Sequence, residues 1–76
     1  MLIVNGNHAY NTNHLIEIYA NSDNEIIGVF HTGSETGFYT PVIYRGNDAP
    51  EILQTIIRSK THGLDVIRID NERIVE

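Results

Sequence analysis

The residues with the greatest chemical capacity in this 76-residue chain lie around a loop at 32–37, which reads Thr-Gly-Ser-Glu-Thr-Gly. Its hydroxyl groups and its carboxylate are more polar side chains than a simple turn requires, and loops carried on a rigid sheet are frequent binding elements. The flanking segments add an aromatic and titratable rim. We therefore predict a binding site formed by His31, Thr32, Ser34, Glu35, Phe38 and Tyr39.

The residues of this loop are suited to binding rather than to catalysis. Its glycines do not have the spacing of a P-loop and the P-loop lysine is missing, although a backbone nest for an anion would suit the sequence. A loop that only connects two strands is the alternative. The chain has no Gly-x-Ser-x-Gly motif, and we predict no catalytic residues and no enzymatic activity.

Metal and cysteine chemistry are not indicated either. The four histidines, His8, His14, His31 and His62, lack the helical spacing of metal-binding motifs. The chain contains no cysteine, which excludes disulfides, cysteine-ligated zinc and a cysteine nucleophile. We predict no metal site and no cofactor.

The charge and the hydropathy of the chain limit the kinds of partner that it is expected to bind. The net charge is −5, and residues 1–44 contain no lysine or arginine. Nucleic-acid binding depends on several cation–phosphate contacts, so it is not predicted. No apolar run is long enough to span a bilayer and no secretory signal is recognisable. We expect one cytoplasmic domain over residues 1–76 that does not bind a membrane.

The elements that must position these residues are mostly strands. The chain contains twelve isoleucines and five valines but only four leucines. Because β-branched residues favour strands, this composition indicates a protein rich in strands. We predict strands at 2–4, 8–10, 14–20, 25–31 and 38–44, the first two joined by a type I′ turn at Asn5-Gly6. Pro41 cannot donate to a ladder, so it is expected at a sheet edge or a bulge.

One helix is predicted at about 48–62. Asp48 is its expected N-cap, Glu51 completes a variant of the capping box, and Gly63 is the expected left-handed stop. Helical spacing places four residues on one apolar stripe: Ile52, Leu53, Ile56 and Ile57. The predicted fold class is α+β, with a small antiparallel sheet of about five strands, this helix packed on one face, and a final strand at about 64–70.

Several strands are apolar on both faces. Residues 25–31 place Ile27 and Val29 on one side, with Ile26 and Phe30 on the other. One helix covers only one face of a sheet. The second face is covered if the sheet closes into a barrel, packs on a second copy of the chain, or binds a different protein. Among these we favour a homodimer.

These observations favour a small non-enzymatic protein–protein interaction module of the adaptor, regulator or phage and mobile-element inhibitor type. It would act through an apolar sheet face or through the 32–37 loop. The alternative is a small-ligand or anion-binding domain that uses this loop with the neighbouring His and Tyr side chains.

Parts of the chain resemble a family of small bacterial flagellar regulators. The resemblance is carried by Val4-Asn5-Gly6, by Asn13-His14-Leu15-Ile16-Glu17 and by the amphipathic helix, and it covers about residues 4–58. The final strand departs from the family pattern, and no function is carried over.

Overall fold

The computed structural model describes residues 1–33 and 37–70. In these residues the strands are β1 (Leu2–Asn5), β2 (His8–Asn11), β3 (Leu15–Ala20), β4 (Glu25–His31), β5 (Phe38–Tyr39), β6 (Val42–Arg45) and β7 (Val66–Ile69), with one helix, α1 (Ala49–Thr61), before β7. A short 3-10 helix at Thr12–His14 joins β2 to β3. The predicted α+β class, with one helix between the strand-rich part and a final strand, is confirmed.

The strands form two sheets rather than the predicted single antiparallel one. In the first sheet β1 lies between β2 and β7, antiparallel to β2 and parallel to β7. In the second sheet β4 is central, with β3 on one side and β5 and β6 on the other. The parallel pair arises because the chain reaches β7 through a long connection that includes α1, whereas tight hairpins can only give antiparallel neighbours.

The turn between β1 and β2 lies one residue later than predicted. Asn5 pairs with His8, so the two turn residues are Gly6 and Asn7. Only Gly6 of the two takes a positive φ, at 59°. This is the pattern of a type II′ turn rather than type I′, and glycine suits its first position because it has no Cβ.

Pro41 lies on an edge of the second sheet, as predicted. It separates β5 from β6, and its carbonyl oxygen accepts a hydrogen bond from the Gly28 N–H at 3.2 Å. The pairing register between β4 and β6 shifts after Val42, and the additional residue, Ile43, is buried.

Gly28 lies close to two core side chains. A Cβ on Gly28 would lie 2.6 Å from Ile43 Cδ1 and 2.5 Å from Phe30 Cε2. The position therefore requires glycine for close packing.

The core lies between the two sheets and α1. It consists of the buried residues Ile3, Ile26, Phe30, Ile43, Tyr44, Ala49, Ile56 and Ile69. Ile57 was predicted on the apolar stripe of the helix, but it is 43% exposed. Its neighbour Ile56 points inward, and a rotation of about 100° per residue carries Ile57 off that face.

A buried hydrogen bond joins the two sheets. The Asn5 side-chain amide donates to the carbonyl oxygen of Ile43 over 2.7 Å. Within residues 1–33 and 37–70 no strand ladder connects one sheet to the other, so these strands do not close into a barrel. The same residues include no helical segment with the length and hydrophobicity needed to traverse a bilayer.

The start of α1 differs from the predicted capping box. Asp48 occupies the N-cap position, but its side chain makes no capping hydrogen bond. Instead its Oδ1 accepts a hydrogen bond from the Tyr44 hydroxyl at 2.5 Å. The helix ends at Thr61, and Gly63 takes a φ of +75°, as the left-handed stop predicts.

We expect Asp48→Ala to lower the free energy of unfolding by about 1–2 kcal/mol, because the partly buried hydrogen bond from the Tyr44 hydroxyl to Asp48 is lost. In a Tyr44→Phe background the same change should cost clearly less. The double-mutant cycle is measured by chemical denaturation. Equal costs in the two backgrounds would indicate that Asp48 acts on the helix end alone.

Candidate functional site

The β4–β5 hairpin brings together two of the predicted site residues. His31 and Phe38 pair directly across the ladder, and their rings meet edge to face with centroids 5.8 Å apart. The Gly33 N–H donates to His31 Nδ1 at 2.9 Å, and the Thr32 N–H donates to the Gly37 carbonyl at 3.0 Å. The Gly33 N–H is therefore already used within the hairpin and does not form part of an anion nest.

Tyr39 lies on the opposite face of the same hairpin. It pairs with Phe30 and stacks on its ring at 5.2 Å, and Phe30 in turn stacks on Tyr10 at 5.9 Å. Ser34 and Glu35 lie outside the described residues. The structure thus groups His31 with Phe38 and separates both from Tyr39.

An exposed apolar surface lies on the face of the second sheet that is turned away from the core. We define the outer face as Tyr19, Ile27, Val29, Phe38 and Val42. The strand register pairs Ile27 with Tyr19 on β3 and with Val42 on β6, so these three form one row across the sheet. Tyr19 is 41% exposed, Val42 37% and Phe38 58%, whereas Ile27 between Tyr19 and Val42 is only 9% exposed. Such apolar groupings commonly mark interaction surfaces.

Charged residues border the outer face. Glu17 pairs with Val29 at the β3 edge, and Arg45 pairs with Glu25 at the end of β6. Arg45 donates to Glu25 Oε2 from Nε at 3.0 Å and from Nη2 at 2.7 Å. Hydrogen bonds from Asn21 and from Arg45 hold the pKa of the Glu25 carboxyl below its ordinary value. The Arg45 guanidinium is thereby oriented at the border.

A cleft of about 250 Å³ lies between the two sheets, lined by Asn5, His8, Tyr10, Val42 and Arg45. It is smaller than usual ligand pockets, which hold about 300–1,000 Å³. Burial, with Tyr39 nearby, raises the pKa of the Tyr10 hydroxyl, which also approaches the Val42 carbonyl at 3.5 Å. The Asn5 amide binds the Ile43 carbonyl. These polar groups serve contacts within the chain, which is the arrangement of a packing seam between sheets.

The first sheet also exposes apolar side chains on its outer side. Leu2 is 40% exposed and pairs with Val66, which is 44% exposed. On its other side Leu2 pairs with Asn11, and Val4 pairs with Arg68. Polar side chains therefore interrupt this surface, whereas the outer face of the second sheet has an unbroken apolar row.

Four outer-face residues, Tyr19, Ile27, Val29 and Val42, were not among the predicted site residues. The signal that could have found them is the two-residue alternation of side chains along a strand. For example, it places Tyr19 on the outward face of β3. Within residues 1–33 and 37–70 no group of three histidine or acidic side chains is placed to hold a metal ion.

Comparison with known proteins does not extend this description: no family model, no curated protein and no solved structure matches the chain significantly. The function is therefore inferred from the chain's own surfaces.

Proposed function

We propose that this chain is a cytoplasmic, non-enzymatic protein-interaction module that binds a second copy of itself through the outer face. The observation that carries this proposal is the apolar row from Tyr19 through Ile27 to Val42, exposed at both ends and continued by Val29 and Phe38. Burying such a row removes apolar area from water, at about 25 cal/mol per Å².

A second copy is the partner that this surface fits, because the surface is complementary to itself. It presents an acidic group, Glu17, on one side of an apolar centre and the ion pair of Arg45 with Glu25 on the other. A two-fold interface uses the same patch on both subunits, so opposite charges within one patch meet across the interface. A domain of this size also buries a modest fraction of its own surface, which favours association.

The size of the outer face sets the expected affinity. With strands about 4.8 Å apart and a rise of about 3.3 Å per residue, the face measures roughly 15 by 20 Å. This is smaller than a standard interface. We therefore expect a dimer that exchanges with monomer at micromolar concentrations.

We expect sedimentation equilibrium to show a mass that rises from the 8.6 kDa of one chain toward twice that value as concentration increases. Val42→Arg should keep the chain monomeric, because a buried unpaired charge opposes association. The matched control is Val66→Arg, which places the same charge at a similarly exposed valine on the first sheet and should leave the dimer intact.

Two results would contradict this proposal. The wild-type chain could remain monomeric up to about 1 mM, beyond the affinity range of weak specific interfaces. Alternatively, Val66→Arg could abolish association while Val42→Arg does not, which would move the interface to the first sheet.

The ligand-binding alternative has less structural support. It needs the histidine and tyrosine beside the 32–37 loop to face a common cavity. His31 and Tyr39 lie on opposite faces of the hairpin, and we therefore favour the interaction module.

A further inference from the structure

The charged residues that border the outer face have a specific arrangement around Ile27. On β4, Val29 lies two residues after Ile27 and Glu25 lies two residues before it. Glu17 pairs with Val29 on the β3 side, and Arg45 pairs with Glu25 on the β6 side. Glu17 and Arg45 therefore occupy diagonally opposite corners of the surface, with Ile27 at its centre.

We propose that the dimer is a two-fold, face-to-face pairing of outer faces centred on Ile27, in which Glu17 of each copy binds Arg45 of the other. This inference rests on the proposed function and adds the orientation of the partner. The two-fold axis lies between the two faces and is perpendicular to the line from Glu17 to Arg45. Rotation about this axis places Glu17 of one copy opposite Arg45 of the other. Each intermolecular ion pair is then formed twice.

This geometry also defines how the sheets cross. From the strand spacing and rise, the axis brings the strands of the two copies to a crossing angle of roughly 70°. That angle is near the orthogonal arrangement, one of the two common ways in which sheets pack face to face. The rows from Tyr19 to Val42 then cross at Ile27, which is 9% exposed, so Tyr19 and Val42 supply most of the apolar area that this pairing buries.

The two ion pairs between Glu17 and Arg45 at the rim of the interface affect the relative orientation of the two copies more than the affinity of the dimer. Rim charges select one docking geometry over others because like charges brought together are unfavourable. Two chains of net charge −5 repel each other, and two intermolecular contacts between Glu17 and Arg45 offset part of this repulsion. The Glu25 carboxylate holds the Arg45 guanidinium at its corner through two hydrogen bonds to one oxygen.

The test is a charge reversal followed by mixing. In the homodimer of Glu17→Arg both corner contacts become Arg against Arg, and in that of Arg45→Glu both become Glu against Glu. We expect each variant alone to dimerise at least tenfold more weakly than wild type. An equimolar mixture should recover association, because both contacts then join opposite charges. Native mass spectrometry distinguishes the heterodimer by its mass.

Two controls keep this test interpretable. Glu51→Arg makes the same charge change at an exposed position on α1 and should leave dimerisation unchanged. Arg45→Glu places two carboxylates opposite each other within one chain. If circular dichroism shows that it does not fold, the variant E25R/R45E, which retains that ion pair in reversed order, replaces it in the mixture.

The outcomes separate the two proposals. Single variants that dimerise like wild type, or a mixture that does not recover, overturn the pairing of Glu17 with Arg45. If Val42→Arg still prevents dimerisation in that case, the outer face remains the interface with another orientation. If it does not, both proposals fail.

Discussion

Phe30→Ala should lower the free energy of unfolding by about 3–5 kcal/mol, the largest loss that we expect from a single substitution. Phe30 is 1% exposed and lies in the core between the Tyr10 ring, at 5.9 Å, and the Tyr39 ring, at 5.2 Å. Truncation removes the ring contacts on both sides and leaves a cavity that the surrounding strands can only partly fill. Urea denaturation measures the loss.

Phe38→Ala is the matched control, because Phe38 lies on the same hairpin but is 58% exposed. Its loss should be about 0.5 kcal/mol or less, as for most surface substitutions. Both variants are measured at a concentration where the chain is monomeric, so that loss of the interface does not contribute. Similar losses for the two variants would contradict the placement of Phe30 in the core.

Ile56→Ala should cost about 2–5 kcal/mol, because Ile56 is 2% exposed and packs from α1 into the core. Ile57→Ala, one residue later, should change stability by less than about 0.5 kcal/mol. Ile57 is 43% exposed, and alanine is the better helix former, which offsets the small loss of contact. A larger cost for Ile57 than for Ile56 would mean that the helix is rotated about its axis.

The sequence predicts the elements that depend on neighbouring residues. The helix was predicted at about 48–62 and extends over Ala49–Thr61, and the strand predicted at 25–31 has those bounds. Turn residues, the change from two-residue to helical spacing, and Gly63 after the helix are local signals. Each acts on the backbone within a few residues, so it can be recognised without knowledge of the fold.

The arrangement of those elements could not be predicted in the same way. The parallel pairing of β1 with β7 and the division into two sheets depend on which distant strands meet. Nothing within Leu2–Asn5 indicates a partner at Val66–Ile69. The interaction of Asp48 with Tyr44 was missed for a related reason: the residue types were consistent with a cap, and the competing hydroxyl became visible only in the fold.

The candidate site was predicted only in part. Strand alternation implies that Phe38 and Tyr39 face opposite sides, so Tyr39 lies on the other face of the hairpin from His31 and Phe38. The grouping by proximity in sequence disregarded this. Tyr19 and Val42 are exposed because the single helix covers only the opposite face of the second sheet. The sequence indicated that one apolar face would remain uncovered, but it did not show which residues would be exposed on it.

The pairing of β1 with β7 has a consequence for the order of folding. The second sheet joins strands that are close in sequence, so its ladders can form after short loop closures. β1 pairs with β2 through a two-residue turn, but its ladder with β7 must wait for a strand from the far end of the described residues. The entropy of closing that long loop precedes any gain from this ladder. In pulsed hydrogen exchange the amide of Leu2, which donates to the Asp65 carbonyl at the start of this ladder, should therefore become protected after that of Ile26, and this late step should limit the rate at which the whole domain folds.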